Sequence, residues 1–209
     1  MSRLRVVNLG LPKSGTTTLG KALRRAGLNV ADWKIRDGQS ENDALKDELV
    51  GKCLYEGYFA TGDPLSAMNE FDAFSEISAI GGGANYWPQF DYGLLAAIAE
   101  HHSGTRFLLS WREPSDIVES ILAWRNLGTG RLPKHDVPGL PAGYGESPDQ
   151  LTRWVAGHYA YLRAAFAGRD DFLEYRIDDP DAPERIGAFI GRDLPWWGRA
   201  NERAKEETE

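Results

Sequence analysis

The stretch LGLPKSGTTTLGKAL, residues 9–23, constrains this chain more than any other. It follows the apolar run LRVVNL, residues 4–9, and leads into residues 15–26, whose apolar spacing predicts a helix closed by Gly27. A strand, a glycine-bearing turn and a helix in that order bring free amides and the positive end of the helix dipole to the turn, where they stabilise an anion. The turn comes close to the Gly-x-x-x-x-Gly-Lys-Ser/Thr pattern that cradles nucleotide triphosphates. With Gly10 and Gly15 as its two glycines, the lysine should stand at position 16, which holds Thr16; the lysine is Lys13 instead. Ser14, Thr16, Thr17 and Thr18 add hydroxyls to the amides, enough to hold one phosphate group.

Further along, strand-like and helix-like segments alternate. FDAFSEI, residues 71–77, reads as a strand or its exit; GGG at 81–83 reads as a flexible break before a helix near 91–102. RFLLSW, 106–111, is the clearest interior strand, and Pro114 begins a helix after it. Residues 148–167 predict a long helix, FLEYR at 172–176 a strand, and ERIGAFIG a helix ending at Gly191. Residues 40–50, SENDALKDELV, predict a polar surface helix capped by Ser40. The segment 126–148 holds five Gly and four Pro and reads as an irregular lid or substrate loop. This alternation predicts an α/β fold, a single-domain P-loop-type three-layer sandwich over residues 1–198, with helices on both faces of a central parallel sheet. Residues 199–209 read as a charged tail.

Bulk composition narrows the partners. Twenty-four Lys and Arg against 31 Asp and Glu give a formal charge of −7, which argues against nucleic acid or an anionic membrane as partner and leaves phosphate recognition to a few local cations. Cys53 is the only cysteine, so neither an intrachain disulfide nor a zinc cluster is expected; a small buried residue is. No apolar run approaches the roughly 18 residues a membrane span needs, so a cytoplasmic protein without stable membrane insertion is expected. RFLLSW ends in Arg112 and FLEYR in Arg176, cations where a magnesium-dependent phosphotransferase would place a carboxylate. That favours direct anion binding without a metal.

PKSGTT at 12–17, together with SWREPSDIVESIL at 110–122, resembles the sulfotransferases that use 3′-phosphoadenosine 5′-phosphosulfate. The likeness extends more loosely to FDAFSEI, the helix containing His158, and the run from Glu174 to Pro195, as in small bacterial sulfotransferase-like proteins. It lacks the Arg-Lys-Gly-x-x-Gly segment of the cytosolic animal enzymes, so a third contact to the 3′-phosphate is unassigned. The resemblance implies that Lys13, Ser14, Gly15, Thr16, Thr17 and Thr18 hold the 5′-phosphosulfate, with Lys13 at the bridging oxygen. It implies that Arg112 and Ser120, an Arg-x7-Ser pair, bind the 3′-phosphate, and that no metal is required.

The implied reaction moves a sulfuryl group to a hydroxyl or amine of a small-molecule acceptor and leaves adenosine 3′,5′-bisphosphate. A base must take the acceptor's proton. Glu76 in FDAFSEIS is the first candidate by its place after a strand, and His158 the second; His101 and His102 read as helix-closing residues, and His135 falls in the irregular loop. Trp87, Trp124, Trp196 and Trp197 are candidates for pocket walls or for core packing. Two alternatives stand beside this reading, a P-loop small-molecule kinase and a catalytically inactive nucleotide-binding module of the same fold. Acceptor identity and oligomeric state are not legible.

Overall fold

The computed structural model describes residues 3–198 and Ala200; the proposed tail at 199–209 otherwise lies outside the described residues. Five strands form one parallel sheet: β1 (Arg5–Asn8), β2 (Val30–Ala31), β3 (Ala73–Phe74), β6 (Thr105–Trp111) and β7 (Phe172–Arg176), in the order β2-β3-β1-β6-β7. A separate antiparallel hairpin joins β4 (Ala79–Gly81) to β5 (Ala84–Tyr86).

Alternation along the strands sorts side chains to two faces. Val7, Phe74, Phe107 and Leu109 pack with α2 (Val50–Thr61), α3 (Tyr92–His101), α4 (Pro114–Leu122) and α6 (Pro148–Ala165). Val6, Ala73, Leu108 and Tyr175 point the other way and pack with α1 (Thr16–Arg25) and α7 (Ala182–Ile190). The fold is therefore a three-layer α/β sandwich, as the alternation predicts. β1 feeds α1 on one face while its neighbour β6 feeds α4 on the other, which opens a crevice at the carboxyl ends of these two strands. The phosphate-type turn and Arg112 both leave the sheet at that crevice.

The polar helix expected at 40–50 does not form. Residues Asp43–Leu45 make one 3-10 turn, capped by Asn42 rather than Ser40, whose hydroxyl instead donates to Glu70. The helix begins where that segment ends, and Val50, Cys53, Leu54 and Gly57 supply its buried stripe at helical spacing. Gly81, Gly82 and Gly83, expected as a break before a helix, form the turn of the hairpin with φ of 105°, 61° and 86°. The 126–148 segment is irregular but anchored: a wide helical turn at Leu127–Arg131 leads into α5 (Leu132–Lys134), and Leu127, Leu132, Val137 and Leu140 reach the core. Among the described residues no helix is long and apolar enough to cross a membrane.

Candidate functional site

The turn after β1 is held open by close packing from below. A Cβ at Gly10 would collide with Ser110 Oγ and Ser14 Oγ, and those two hydroxyls lie 2.5 Å apart beneath the turn. Gly15, at φ 104°, caps α1 where a Cβ would strike Ile177. Lys13 also adopts a left-handed backbone, φ 76°, which a non-glycine residue keeps only when its surroundings impose it. The first donor within α1 is the Leu19 N–H, to the Gly15 carbonyl at 3.1 Å, so the amides that open the helix have no acceptor inside it.

The structure divides the predicted hydroxyls. Ser14 is fully buried against Ser110, and Thr18 donates to the Gly198 carbonyl at 3.0 Å, so both hydroxyls serve packing. Thr16 donates to the Glu76 carboxylate at 2.7 Å. Thr17 is exposed and lines the cleft above the turn.

Arg112 joins the two halves of the sequence pattern. Its Nη1 donates to the Lys13 carbonyl at 3.2 Å, across 99 residues, and lies 3.4 Å from Ser120 Oγ on α4. The Arg112 amide donates to Tyr159 Oη at 3.3 Å, which ties the strand exit to α6. Asn8, which the sequence reading passed over, is fully buried and holds three strand ends together. Its amide donates to the Ser75 carbonyl at 2.8 Å, and its oxygen accepts from Gly10 at 3.3 Å and Ser110 at 3.4 Å. Bonds of this kind contribute about 1 kcal/mol each, and leaving one buried group unmet costs more.

Above the turn lies a cleft of about 710 Å³, lined among others by Lys13, Thr17, Asp32, Trp33, Glu76 and Trp124. Glu76 leaves the end of β3 as expected, partly buried. Burial pushes its carboxyl up to about 7, and Asp32 adds to the rise; the Thr16 hydrogen bond and the Lys13 charge oppose it. A carboxylate so placed exchanges a proton near neutral pH. Lys13 Nζ sits 3.6 Å above the Trp124 ring.

Asp32 directly follows β2 and Glu76 follows β3 with Ser75 between, so two strand ends carry carboxylates into the cleft. This corrects the expectation drawn from Arg112 and Arg176, which considered only β6 and β7. β2 is two residues long, too short to read as a strand, which hid the carboxylate at its exit, and Glu76, though placed after a strand, reads in sequence only as a base. Arg176 turns away to Asp178 at 3.0 Å. Arg125, Arg131 and Trp33 also line the cleft and carried no sequence signal. Among the described residues no group of three metal-ligating side chains converges.

His158 is placed elsewhere. Its Nε2 lies 2.8 Å from the Leu9 carbonyl, so it carries the proton and donates, and burial holds the ring down to about 4. It lines a second, mainly apolar cleft of about 720 Å³ with Phe90, Leu140, Trp154 and Tyr161, and does not line the Lys13 cleft. Trp87 is 2 % exposed and belongs to both core and cleft wall, whereas Trp196 lies under Lys21 and Trp197 meets Tyr175 edge-on. His102 pairs with Asp63 at 2.8 Å, and His135 Nδ1 with the Arg131 carbonyl at 2.7 Å.

No family model and no curated protein matches the chain. Among solved structures it is similar to a sulfotransferase from Alicyclobacillus acidocaldarius, with TM-score 0.54 and 14% identity over 99% of this chain and 88% of that one. A sugar kinase from Janibacter sp. HTCC2649 superposes with TM-score 0.47 and 14% identity, over 91% of this chain and 95% of that one. At such identity the sulfotransferase likeness speaks for the fold alone, a P-loop-type α/β sandwich.

Proposed function

We propose that this chain is a sulfotransferase that moves a sulfuryl group from 3′-phosphoadenosine 5′-phosphosulfate to a hydroxyl or amine of a small acceptor. One observation carries the reading: Arg112 bonds the Lys13 carbonyl and reaches Ser120, so two motifs far apart in sequence form one constellation around the crevice. The residues fit the donor. The amides at the start of α1 and the Thr17 hydroxyl would hold its 5′-phosphate, and the Arg112 fork with Ser120 suits a terminal phosphate.

When bound, the donor supplies an activated sulfuryl group whose transfer leaves negative charge on the oxygen between phosphorus and sulfur. Lys13 sits on the cleft wall to meet that charge, and a preorganised donor of this kind is worth about 10²- to 10³-fold in rate. Glu76 takes the acceptor's proton. Its carboxyl, pushed up to about 7, is part ionised at neutral pH and so both accepts and later releases the proton. Thr16 orients it by donating to one oxygen. The 126–148 segment, whose Leu127 and Arg131 line the cleft, serves as lid or acceptor loop.

Calorimetry with adenosine 3′,5′-bisphosphate against AMP tests this reading. The bisphosphate binds more tightly, and Arg112→Ala removes the difference; equal binding of the two nucleotides by the unaltered protein sinks it.

Asp32 and Glu76 favour one other reading, a magnesium-dependent kinase, since two carboxylates at adjacent strand ends resemble a metal-positioning pair. It requires Mg²⁺-dependent ATP turnover by a loop whose lysine is at position 13. ATP hydrolysis or transfer stimulated by Mg²⁺, together with no preference for the bisphosphate, would choose it over sulfuryl transfer.

A further inference from the structure

The cleft holds more positive charge than the proposed transfer uses. Its four lining cations are Lys13, Arg36, Arg125 and Arg131; Arg36 lies 3.4 Å from Asp32, and Lys13 is given to the bridging oxygen. Arg125 and Arg131 remain, and among the described residues no carboxylate pairs with either. In a chain of formal charge −7, two unmatched guanidiniums on one wall call for a reason.

Arg131 is fixed in position. Nη1 donates to the Ile80 carbonyl at 3.0 Å, and the stem packs so tightly on the hairpin that a Cβ at Gly81 would come within 2.8 Å of Cδ. Its Nε is buried without an acceptor. Burial, then the neighbouring Arg125, holds its guanidinium below the ordinary value, so both act against the charge being there. Arg125 itself is kept at φ 47°, a backbone that costs a non-glycine residue about 1 kcal/mol or more. Uncompensated charge of this kind is relieved by an anion arriving from outside.

We infer that Arg131, with Arg125 beside it, grips an anionic group carried by the acceptor itself. The acceptor is then a hydroxyl compound that also bears a carboxylate, phosphate or sulfate, its hydroxyl turned to Glu76. Trp33, 38% exposed on the cleft wall, offers a flat face for the ring that connects the two groups. This inference rests on the sulfuryl-transfer reading for the role of Glu76, and its test separates the two.

The full chain, saturated with adenosine 3′,5′-bisphosphate, is titrated in a calorimeter with matched probes: glucuronate and glucose 6-phosphate against glucose, and 4-hydroxybenzoate against 4-hydroxybenzyl alcohol. In at least one set the acidic probe binds at least about tenfold more tightly than its neutral partner, the low end of what charge-assisted hydrogen bonds contribute. Arg131→Gln abolishes that preference. Arg125→Gln, at an exposed position that does not endanger folding, reduces it; Arg131→Lys restores part of it. Neither glutamine variant changes affinity for the bisphosphate. Acidic probes that bind no better than neutral ones in every set, or a preference that survives both glutamine variants, overturn the inference. So does a loss of bisphosphate affinity in Arg131→Gln, which would assign the arginine to the donor. If the unaltered protein fails to bind bisphosphate, the sulfuryl-transfer reading falls; the same probes titrated without nucleotide then still show whether Arg131 selects acids.

Discussion

The two sides of the cleft are built differently. The proposed donor side is built on one continuous segment and braced: a strand, a turn and a helix in sequence, with Asn8, Ser14 and Ser110 packed beneath the turn and Arg112 bonded across it. The proposed acceptor side is assembled from pieces distant in sequence, with Trp33 after β2, Arg131 in the wide helical turn, and the Gly81–Gly83 hairpin between them. The donor side braces its turn with its own polar groups, whereas on the acceptor side no carboxylate among the described residues pairs with Arg125 or Arg131. A side braced from within is expected to be rigid and specific for one ligand. A side with open charge depends on its ligand for completion.

Substitutions at the contact between the two sides have the largest expected effect. Glu76→Gln keeps the shape and the Thr16 contact but removes the base, and should lower kcat by about 10²- to 10⁴-fold with bisphosphate affinity nearly unchanged. Steady-state transfer of labelled sulfate together with calorimetry checks both halves. A variant with full activity would move the base elsewhere. Lys13→Ala comes next, with an expected loss of about 10²- to 10³-fold in kcat. Because Arg112 bonds the Lys13 carbonyl rather than its side chain, nucleotide affinity should fall far less than turnover.

Arg112→Ala tests whether the donor side is as specific as its bracing implies. Removing a charge-assisted contact should reduce the preference for bisphosphate over AMP by about 10- to 100-fold, while AMP itself binds almost as before. Ser120→Ala should cost a few-fold, since Ser120 Oγ stands 3.4 Å from the guanidinium and supports it only weakly. An AMP affinity that falls as much as that of the bisphosphate would mean that Arg112 merely braces the turn.

The same difference explains what could be read from the chain. Gly10, Lys13 and Gly15 are constrained by one continuous turn, so their spacing carries the geometry, and Arg112 follows a seven-residue buried strand whose end is easy to place. Glu76 was reachable because an apolar run precedes it. Asp32 was not, because the strand before it is two residues long. Arg125 and Arg131 lie in a segment whose Gly and Pro content predicts irregularity without saying where its cations go. The buried stripe Val50, Cys53, Leu54 and Gly57 was legible in principle, but the charged residues before it offered a competing helix; in the structure Asp47 is left-handed at φ 65°, and Asp47 and Glu48 exchange backbone hydrogen bonds with Ile35 instead. Likewise His158 shares a long helix with core residues, and nothing in its spacing says that its ring bonds the Leu9 carbonyl rather than facing the Lys13 cleft.

The smallest expected effect concerns stability and sets Glu76 against His158. Glu76 is raised to about 7 from 4.5, so between these values the folded state holds more protons than the unfolded one, and stability falls as pH rises. His158 is lowered to about 4 from 6.5, so between these values the unfolded state holds more protons, and stability rises with pH. The two trends oppose each other from pH 4.5 to 6.5. Each is limited to about 1.4 kcal/mol per pH unit, so they largely cancel in the unaltered protein over that span. Glu76→Gln should therefore expose a denaturation midpoint that climbs with pH. His158→Gln, whose amide can still donate to the Leu9 carbonyl, should expose one that declines. Urea titrations of the three proteins at half-unit pH steps measure this, and parallel curves would show that neither group titrates differently in the folded chain. If only the His158 trend appears, Glu76 is solvated by the open cleft and is an ordinary carboxylate until an acceptor excludes water from it.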